Sequence, residues 1–309
     1  MAVMLAWPNL PSLEALTEYH PKVPLRVYDR DGKQIGEFGE ERRDLVRIGD
    51  VPQVMKNAIL AAEDDDFYQH HGIDPRGILR ALYVNLSGGR KQGASTITQQ
   101  VARNFFLSNE RTLSRKFYEA LLAFRIESHF TKDQILELYI NQIFLGHRAY
   151  GFAAAAQTYF GKPLSQISAA EAAVLAGIPK SPSTLNPIAS PKRAKARQEY
   201  VLRRMRELGM IDHDTWQKAV EAPIIVKRQS NLYAGHAGYV AEMARQIAAE
   251  MFPEAVYGAG LSVYTTVSAP LQEAAWRALR EGILDYDRRQ GFRGAEGHID
   301  LKATTADED

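Results

Sequence analysis

The sequence contains no cysteine, which excludes disulfides, thiolate zinc sites and a cysteine nucleophile. It also has no excess of charge, since 38 basic side chains face 37 acidic ones. Without a general positive field, nucleic-acid binding is not expected, and an anionic ligand must be held by a local cluster of cations. No apolar run in the chain approaches the roughly 20 residues of a transmembrane helix.

The order of patterns predicts a long helical region flanked by shorter mixed segments. Prolines and polar residues mark a connector at 8–22, and "LRVYDRDGKQIGEF" reads as a β-hairpin around Asp31 and Gly32. Residues 51–209 are helical in pattern, and after about residue 223 a helix, a strand and another helix follow. Helix ends are predicted by capping boxes at Thr131 with Gln134 and Ser168 with Glu171, and by a basic helix from Ser190-Pro191 to Gly209.

An acidic cluster, "AEDDDFYQHHG" at 62–72, follows the apolar run "VMKNAILAA". This places Glu63 at the edge of a core beside three aspartates, where burial and like charge raise the pKa of a carboxyl group and suit it to act as a base. A solvated acidic helix end explains the cluster equally well. A third interpretation is a metal site made from Asp64, Asp66, His70 and His71, although their spacing matches no recognised metal motif.

The stretch "SGGRKQGASTITQQVARNFF" at 87–106 has the glycine spacing of a P-loop, but Ala94 stands where the phosphate-binding lysine is needed. A nucleotide site is therefore excluded here. A helix beginning near Ser95 would place Ser95, Gln99 and Arg103 on one face, and its start would suit an oxygen-rich anionic ligand. Helix capping with a solvated polar face is the alternative.

A second polar helix face is predicted in "ERTLSRKFYEALLAFRIE". Arg111, Arg115 and Glu119 share it, with Lys116 alongside. Ordinary surface ion pairs would explain this pattern, but together with Arg103 these cations could neutralise a pyrophosphate. In the following segment, Lys132, Tyr139 and Asn141 are expected to be structural, because the helix is apolar around most of its circumference.

An apolar stripe occurs in "RGILRALYVNLS" and is flanked by Arg76 and Arg80. Helical spacing places its residues on one side of a helix that either joins the core or lies in a membrane interface. The stripe consists of Ile78, Leu79, Leu82, Tyr83 and Leu86.

Four motifs in order carry a resemblance to a known family. They are E-D-x-x-F-x-x-H-x-G beginning at Glu63, "GASTITQQ" at 93–100, "RKFYE" at 115–119 and "KDQILELYIN" at 132–141. Residues 24–215 resemble the peptidoglycan glycosyltransferases of family 51, which occur in class A penicillin-binding proteins and monofunctional transglycosylases. The later stretch "GLSVYTTVSAPLQEAAWRAL" resembles the linker that leads to the transpeptidase of class A enzymes, but the transpeptidase motifs are not present in a catalytic arrangement.

The resemblance implies a mainly α fold: a lysozyme-like helical lobe with a small membrane-proximal jaw lobe, a short N-terminal β-hairpin and a C-terminal α/β linker. It implies a juxtamembrane connector at 1–22, the glycosyltransferase domain at 23–223, and the linker with the start of a truncated transpeptidase region at 224–309. The expectation is a fragment without its membrane anchor, from the periplasmic face of the bacterial inner membrane. A polyprenyl substrate there favours the membrane-interface interpretation of the apolar stripe.

The activity implied by the resemblance is polymerisation of lipid II into β-1,4 glycan strands, with inversion and release of undecaprenyl pyrophosphate. Glu63 matches the general base, and Glu119 the second glutamate, which either orders the cations or assists the leaving group. The residues that match substrate-binding positions are Asp64, His70, Ser95, Thr96, Gln99, Gln100, Arg103, Arg111, Arg115 and Lys116.

The expected ligands follow from the same resemblance. They are lipid II, the nascent glycan strand, the membrane lipid surface and other cell-wall synthesis proteins. The resemblance gives Asp64 one of two roles: it helps to arrange the site, or it binds a divalent cation, Mg²⁺ or Mn²⁺. No organic cofactor is expected. Two rival functions stay open: a lysozyme-like glycan hydrolase, which would also use two carboxylates, and a noncatalytic cell-wall scaffold.

Overall fold

A computed structural model describes residues 10–18, 21–87, 95–107, 112–227 and 236–291, together with residues 294 and 297. The fold is mainly α, as predicted. Its helices are α1 Glu14–Thr17, α2 Gln53–Glu63, α3 Pro75–Leu86, α4 Ile97–Phe106, α5 Leu113–Glu127, α6 Lys132–Gln142, α7 Phe152–Phe160, α8 Ala169–Gly177, α9 Pro191–Glu207, α10 His213–Glu221, α11 Gly238–Met251 and α12 Ala269–Gln290. The strands are β1 Leu25–Tyr28, β2 Gln34–Phe38, β3 Arg42–Arg43, β4 Ala149–Tyr150 and β5 Ser262–Tyr264.

Helices α2 to α10, apart from α3, contribute to one large apolar core. Its centre contains fully buried aromatic rings, among them Phe67, Tyr139 and Tyr159. Helix α8 is rich in alanine, and both α2 and α9 pack against it. Small side chains let helices approach closely, so the end of α2 comes to lie beside α9.

The predicted helix ends are largely confirmed. Thr131 and Ser168 form capping boxes, and α9 begins at Pro191 and is followed by Gly209 in a left-handed conformation, with φ +68°. The helix predicted near Ser95 begins instead at Ile97, because Thr96 is its N-cap and forms a third capping box with Gln99.

A small sheet joins segments that precede and follow the helical lobe in the sequence. Strands β1 and β2 form the predicted antiparallel hairpin, with Leu25 opposite Phe38. Strand β5 then pairs parallel to β1, with Arg26 opposite Ser262, and α11 covers this sheet. The unit built on the sheet therefore draws on both sides of the predicted limit at residue 223. The domain limits themselves stay a prediction.

Helix α3 does not join the core, so the core interpretation of its stripe is wrong. Leu79, Tyr83 and Leu86 are 67%, 75% and 78% exposed. Among the described helices, none combines the length and apolar character needed to span a bilayer.

Candidate functional site

The acidic cluster lies at the junction of α2 and α4. Glu63 is the last residue of α2, and Asp64 follows as its C-cap. Asp64 is buried, and its Oδ2 accepts a hydrogen bond of 2.9 Å from the backbone N–H of Ile97, the first residue of α4. His70 Nε2 lies 3.0 Å from Asp64 Oδ1. Asp64 therefore fixes the end of α2 against the start of α4.

Two other residues of the same motif, Phe67 and Gly72, help to fix the position of the chain after Glu63. Phe67 is fully buried in the core. Gly72 has φ +77°, and a Cβ there would lie 2.9 Å from the backbone carbon of Ala123, so only glycine fits. The carbonyl oxygen of Gly72 accepts a 2.6 Å hydrogen bond from Thr96 Oγ1. The motif thus holds the segment after α2 against α4 and α5.

Glu63 has the properties of a base. Its side chain is 13% exposed, Gln100 Nε2 donates a hydrogen bond of 2.8 Å to its Oε2, and Arg197 Nη2 lies 4.0 Å from its Oε1. Burial raises the pKa of Glu63, against the opposing effects of Gln100, Arg197, Arg103 and Lys180. A carboxylate with a raised pKa, hydrogen-bonded to a neutral amide, is suited to accept a proton.

Glu119, on α5, has a different environment. Its side chain is 2% exposed, with Lys116 Nζ at 2.7 Å and Arg115 Nε at 3.2 Å. Lys116 also donates a hydrogen bond of 2.8 Å to Ser95 Oγ. Glu119 is therefore a buried anion that holds two cations in place. Through Ser95 and Gln100, the start of α4 contacts the surroundings of both glutamates.

Two residues predicted to bind substrate make capping contacts. Thr96 Oγ1 accepts from the backbone N–H of Gln99 at 3.1 Å, and Gln99 Oε1 accepts from the backbone N–H of Thr96 at 3.1 Å. Both residues are buried, since Thr96 is 2% exposed and Gln99 is 4% exposed. The geometry gives them a structural role at the start of α4.

The described residues do not fit a resident divalent cation. No group of three or more histidine or acidic side chains within them is arranged to hold a metal ion. Both carboxylate oxygens of Asp64 already lie within hydrogen-bond distance of His70 Nε2, and one also accepts from Ile97. The metal site considered for Asp64, Asp66, His70 and His71 is therefore not formed.

The structure places the predicted cations in two groups. Arg103 acts electrostatically on Glu63, whereas Arg115 and Lys116 pair with Glu119. Arg111 lies outside the described residues. The sequence interpretation missed Arg197 and Lys180, the other cations near Glu63. The basic composition of α9 was visible, but nothing local indicated which of its arginines faces the site.

The residues expected to be structural have such contacts. Asn141 Oδ1 accepts from the backbone N–H of Val46 at 3.0 Å, and its Nδ2 donates to Val46 O at 2.8 Å. Lys132 Nζ donates to Glu127 at 2.7 Å. Tyr139 is buried near Glu63, and burial together with that charge raises its pKa well above its ordinary value.

Comparison with known proteins identifies the family. The sequence profile of the family described as Transglycosylase matches residues 31–206. The chain belongs to the transglycosylase family. Its predicted resemblance to the glycosyltransferases of class A penicillin-binding proteins is thereby confirmed, and the motif residues described above lie inside the matched range.

Similar transglycosylases occur within larger proteins. Over 302 residues the chain is 52% identical to penicillin-binding protein 1A of Neisseria lactamica. The aligned residues make up 97% of this chain and 38% of that protein. This chain is 49% identical to penicillin-binding protein 1A of Pseudomonas aeruginosa, covering 94% of this chain and 36% of that protein. The chain therefore spans less than two fifths of the length of these relatives.

A solved structure gives the same result for the fold. The crystal structure of penicillin-binding protein 1A from Haemophilus influenzae is similar to this structure with a TM-score of 0.51 at 33% sequence identity. The similarity covers 92% of this chain and 34% of that one. It covers a larger share of this chain than the matched transglycosylase range, residues 31–206.

Proposed function

We propose that this transglycosylase polymerises lipid II into β-1,4 glycan strands. The proposal is carried by one observation: the site contains both a carboxylate suited to act as a base, Glu63, and separate cations held by Glu119. Forming a glycosidic bond from a lipid-linked donor needs a base near the acceptor hydroxyl and positive charge near the departing pyrophosphate. Membership of the transglycosylase family supports the same reaction class.

In the proposed step, Glu63 takes the proton of the 4-hydroxyl group of the incoming lipid II. The hydroxyl oxygen forms a bond to the anomeric carbon of the growing chain as the bond from that carbon to the pyrophosphate oxygen breaks. The electron pair of the broken bond leaves with undecaprenyl pyrophosphate, and attack from the opposite face inverts the anomeric centre. Binding of both sugars beside Glu63 would make this proton transfer intramolecular.

The cations near Glu119 would stabilise the departing pyrophosphate. Lys116 is tethered to Glu119 and Ser95, yet its side chain is 45% exposed, so it can meet a phosphate oxygen without leaving its partners. Arg115 is held by the same glutamate. Of the two roles expected for Glu119, these contacts support the ordering of cations. Arginine and lysine are well suited to bind phosphate oxygens.

The rival functions have less support. A hydrolase acting on a neutral glycosidic oxygen has no need for the cations around Glu119, and the chain matches the transglycosylase family. A noncatalytic scaffold would not need a buried carboxylate with a raised pKa, because such a charge opposes folding. The expected divalent cation stays a prediction; since the described residues offer no site for it, no step is assigned to it.

We also propose that α3 lies in the surface of a membrane, at the periplasmic face of the bacterial inner membrane. Its apolar stripe is exposed, and Arg80, flanking the stripe, has a side chain that is 54% exposed. Apolar residues flanked by arginines suit the boundary between acyl chains and anionic headgroups. This position would bring the polyprenyl part of the substrate within reach. Binding to other cell-wall synthesis proteins stays a prediction.

A lipid II polymerisation assay tests the proposed reaction. Glu63→Gln should lower the rate at saturating substrate by about 10²- to 10⁴-fold, the usual contribution of a general base. Glu199→Gln, an exposed change of the same kind on α9, is the control and should leave the rate unchanged. Glycan strands are measured by gel electrophoresis, and circular dichroism checks the fold. Equal product from the wild type and Glu63→Gln would contradict the assignment of the base.

Co-sedimentation with anionic lipid vesicles tests the membrane surface. The double change Leu79→Glu with Leu82→Glu should reduce the bound fraction at least tenfold, because apolar area is removed and negative charge is added. Leu279→Glu is the control, since this leucine of α12 is similarly exposed, at 65%, outside the stripe. Equal loss of binding in the control and the double variant would show that α3 has no special part in membrane binding.

A further inference from the structure

One arginine that the motifs did not indicate reaches the Glu63 carboxylate. Arg197 of α9 places Nη2 4.0 Å from Glu63 Oε1, and its side chain is 12% exposed. Within the described part of the chain its buried Nε has no hydrogen-bond partner. Burying a guanidinium group is costly unless a charge compensates for it. The nearby carboxylate supplies that compensation.

Two neighbours fix the path of the Arg197 side chain. A Cβ at Gly177, the last residue of α8, would lie 2.7 Å from Arg197 Cγ, so the missing side chain leaves room for the arginine stem. On the other side, Arg197 Cζ lies 4.5 Å from the centre of the Tyr200 ring, a cation–π contact. The backbone at Gly177 has φ −79° and ψ −23°, which any residue can adopt. The glycine is therefore needed for space and not for its backbone conformation.

Several other groups surround the same carboxylate. Arg197 exerts the largest attraction on Glu63 among the three nearby cations, ahead of Arg103 and Lys180. Arg197 Nη2 lies 4.0 Å from Glu63 Oε1, whereas Gln100 Nε2 donates a hydrogen bond of 2.8 Å to Glu63 Oε2. Arg197 is therefore too far from Oε1 to donate a hydrogen bond to it. The groups that face Glu63 are Gln100 and Arg103 from α4, Tyr139 from α6, Lys180 from the turn after α8, and Arg197 from α9.

We propose that Arg197 is a positioning residue that directs the Glu63 carboxylate and keeps it ionised for proton transfer, and that Gly177 makes room for it. The inference rests on the proposed role of Glu63 as the base. A cation at this distance compensates for burial without occupying the oxygen that must receive the proton. Substitution of Arg197 should therefore leave a carboxyl group that ionises only at higher pH.

A titration without substrate tests this directly. Infrared difference spectra of the wild type and Glu63→Gln identify the carboxyl band of Glu63, and the band is then followed against pH. Arg197→Gln should move the midpoint of this band upward by about one pH unit. Arg197→Lys keeps a cation at this position, so its midpoint should lie close to that of the wild type. Arg193→Gln, an exposed arginine one turn earlier on α9, is the matched control and should not move it.

Gly177→Ala provides a second, independent variant. The alanine fits the local backbone but collides with the stem of Arg197 and should displace its guanidinium group. The midpoint should then move in the same direction as in Arg197→Gln, by a smaller amount. If Arg197→Gln fails to fold, Gly177→Ala and Arg197→Lys carry the test. An unchanged midpoint in the folded variants would overturn the proposal.

The rate of lipid II polymerisation against pH separates this inference from the proposed function. In Arg197→Gln the acid limb of the profile should move upward together with the midpoint of the titration. A uniform loss of rate with neither quantity moved would show a merely structural role and overturn the proposal. If the wild-type chain makes no glycan while Arg197→Gln still shifts the Glu63 midpoint, the result would contradict the proposed reaction and still support the positioning of Glu63 by Arg197.

Discussion

Glu63 and Glu119 are both buried carboxylates near the start of α4, but their partners differ. Glu63 is 13% exposed and faces the neutral amide of Gln100, with a guanidinium group at 4.0 Å. Glu119 is 2% exposed and lies within 3.2 Å of two cations. Burial alone therefore does not determine what a carboxylate can do. The one without a close cation is suited to accept a proton, whereas the one paired with Lys116 and Arg115 orders those two cations.

The largest effect expected from this comparison concerns Glu119→Gln. Removing the anion leaves Arg115 and Lys116 without their partner, so the free energy of unfolding should fall by about 1–2 kcal/mol. The loss stays below the roughly 3–5 kcal/mol of a fully buried broken pair, because the Lys116 side chain is 45% exposed and can be rehydrated. Urea denaturation measures the change.

Kinetics of the same variant distinguish the two glutamates. The KM for lipid II should rise in Glu119→Gln, because the cations that would hold the pyrophosphate lose their order. Glu63→Gln should lower kcat with less effect on KM. If Glu119→Gln lowered kcat as strongly as Glu63→Gln, with KM unchanged, Glu119 would act in the chemical step and the comparison would fail.

A smaller effect is expected on the pH dependence of stability. In the folded chain, the pKa of Glu63 is raised above 4.5, its ordinary value. The native state therefore binds the carboxyl proton of Glu63 more tightly than the unfolded state does. Its contribution to stability therefore decreases as the pH rises above 4.5 through the folded pKa. Glu63→Gln removes this loss and should be more stable than the wild type at neutral pH, by about 0.5–2 kcal/mol.

Denaturation at several pH values measures that difference. The advantage of Glu63→Gln should shrink as the pH falls toward 4.5, the ordinary value for glutamate. Glu199→Gln serves again as the exposed control and should show no such trend. An advantage that is constant with pH would mean that the charge of Glu63 does not oppose folding.

Much of the helical lobe could be predicted because its signals are local. The capping residues Thr131 and Ser168 and the stop at Gly209 each act within one or two turns of their own helix. The parallel pairing of β1 with β5 could not be predicted, because it joins Arg26 to Ser262 and no short pattern specifies such a distant partner.

The candidate site shows the same division. Motifs and helix faces predict Glu63 and Glu119 as site residues, and this assignment stays a prediction. The start of α4 was predicted slightly early, near Ser95, because Thr96 was not recognised as the N-cap. Arg197 was missed because its approach to Glu63 depends on the space above Gly177, which only the packing of α8 against α9 reveals. Helix ends follow from neighbouring residues, whereas the environment of the buried Glu63 carboxylate follows from packing.

The smallest expected effect concerns Ser95, which gives Lys116 its second contact. In Ser95→Ala the 2.8 Å hydrogen bond to Lys116 Nζ is lost, while the 2.7 Å pair with Glu119 stays. Because this contact is exposed, stability should change by less than about 1 kcal/mol. The KM for lipid II should rise severalfold with kcat nearly unchanged, because Lys116 is then less precisely placed. Ser87→Ala, an exposed serine after α3, is the control. An unchanged KM in Ser95→Ala would show that Glu119 alone orders Lys116, which would strengthen the contrast between the two glutamates.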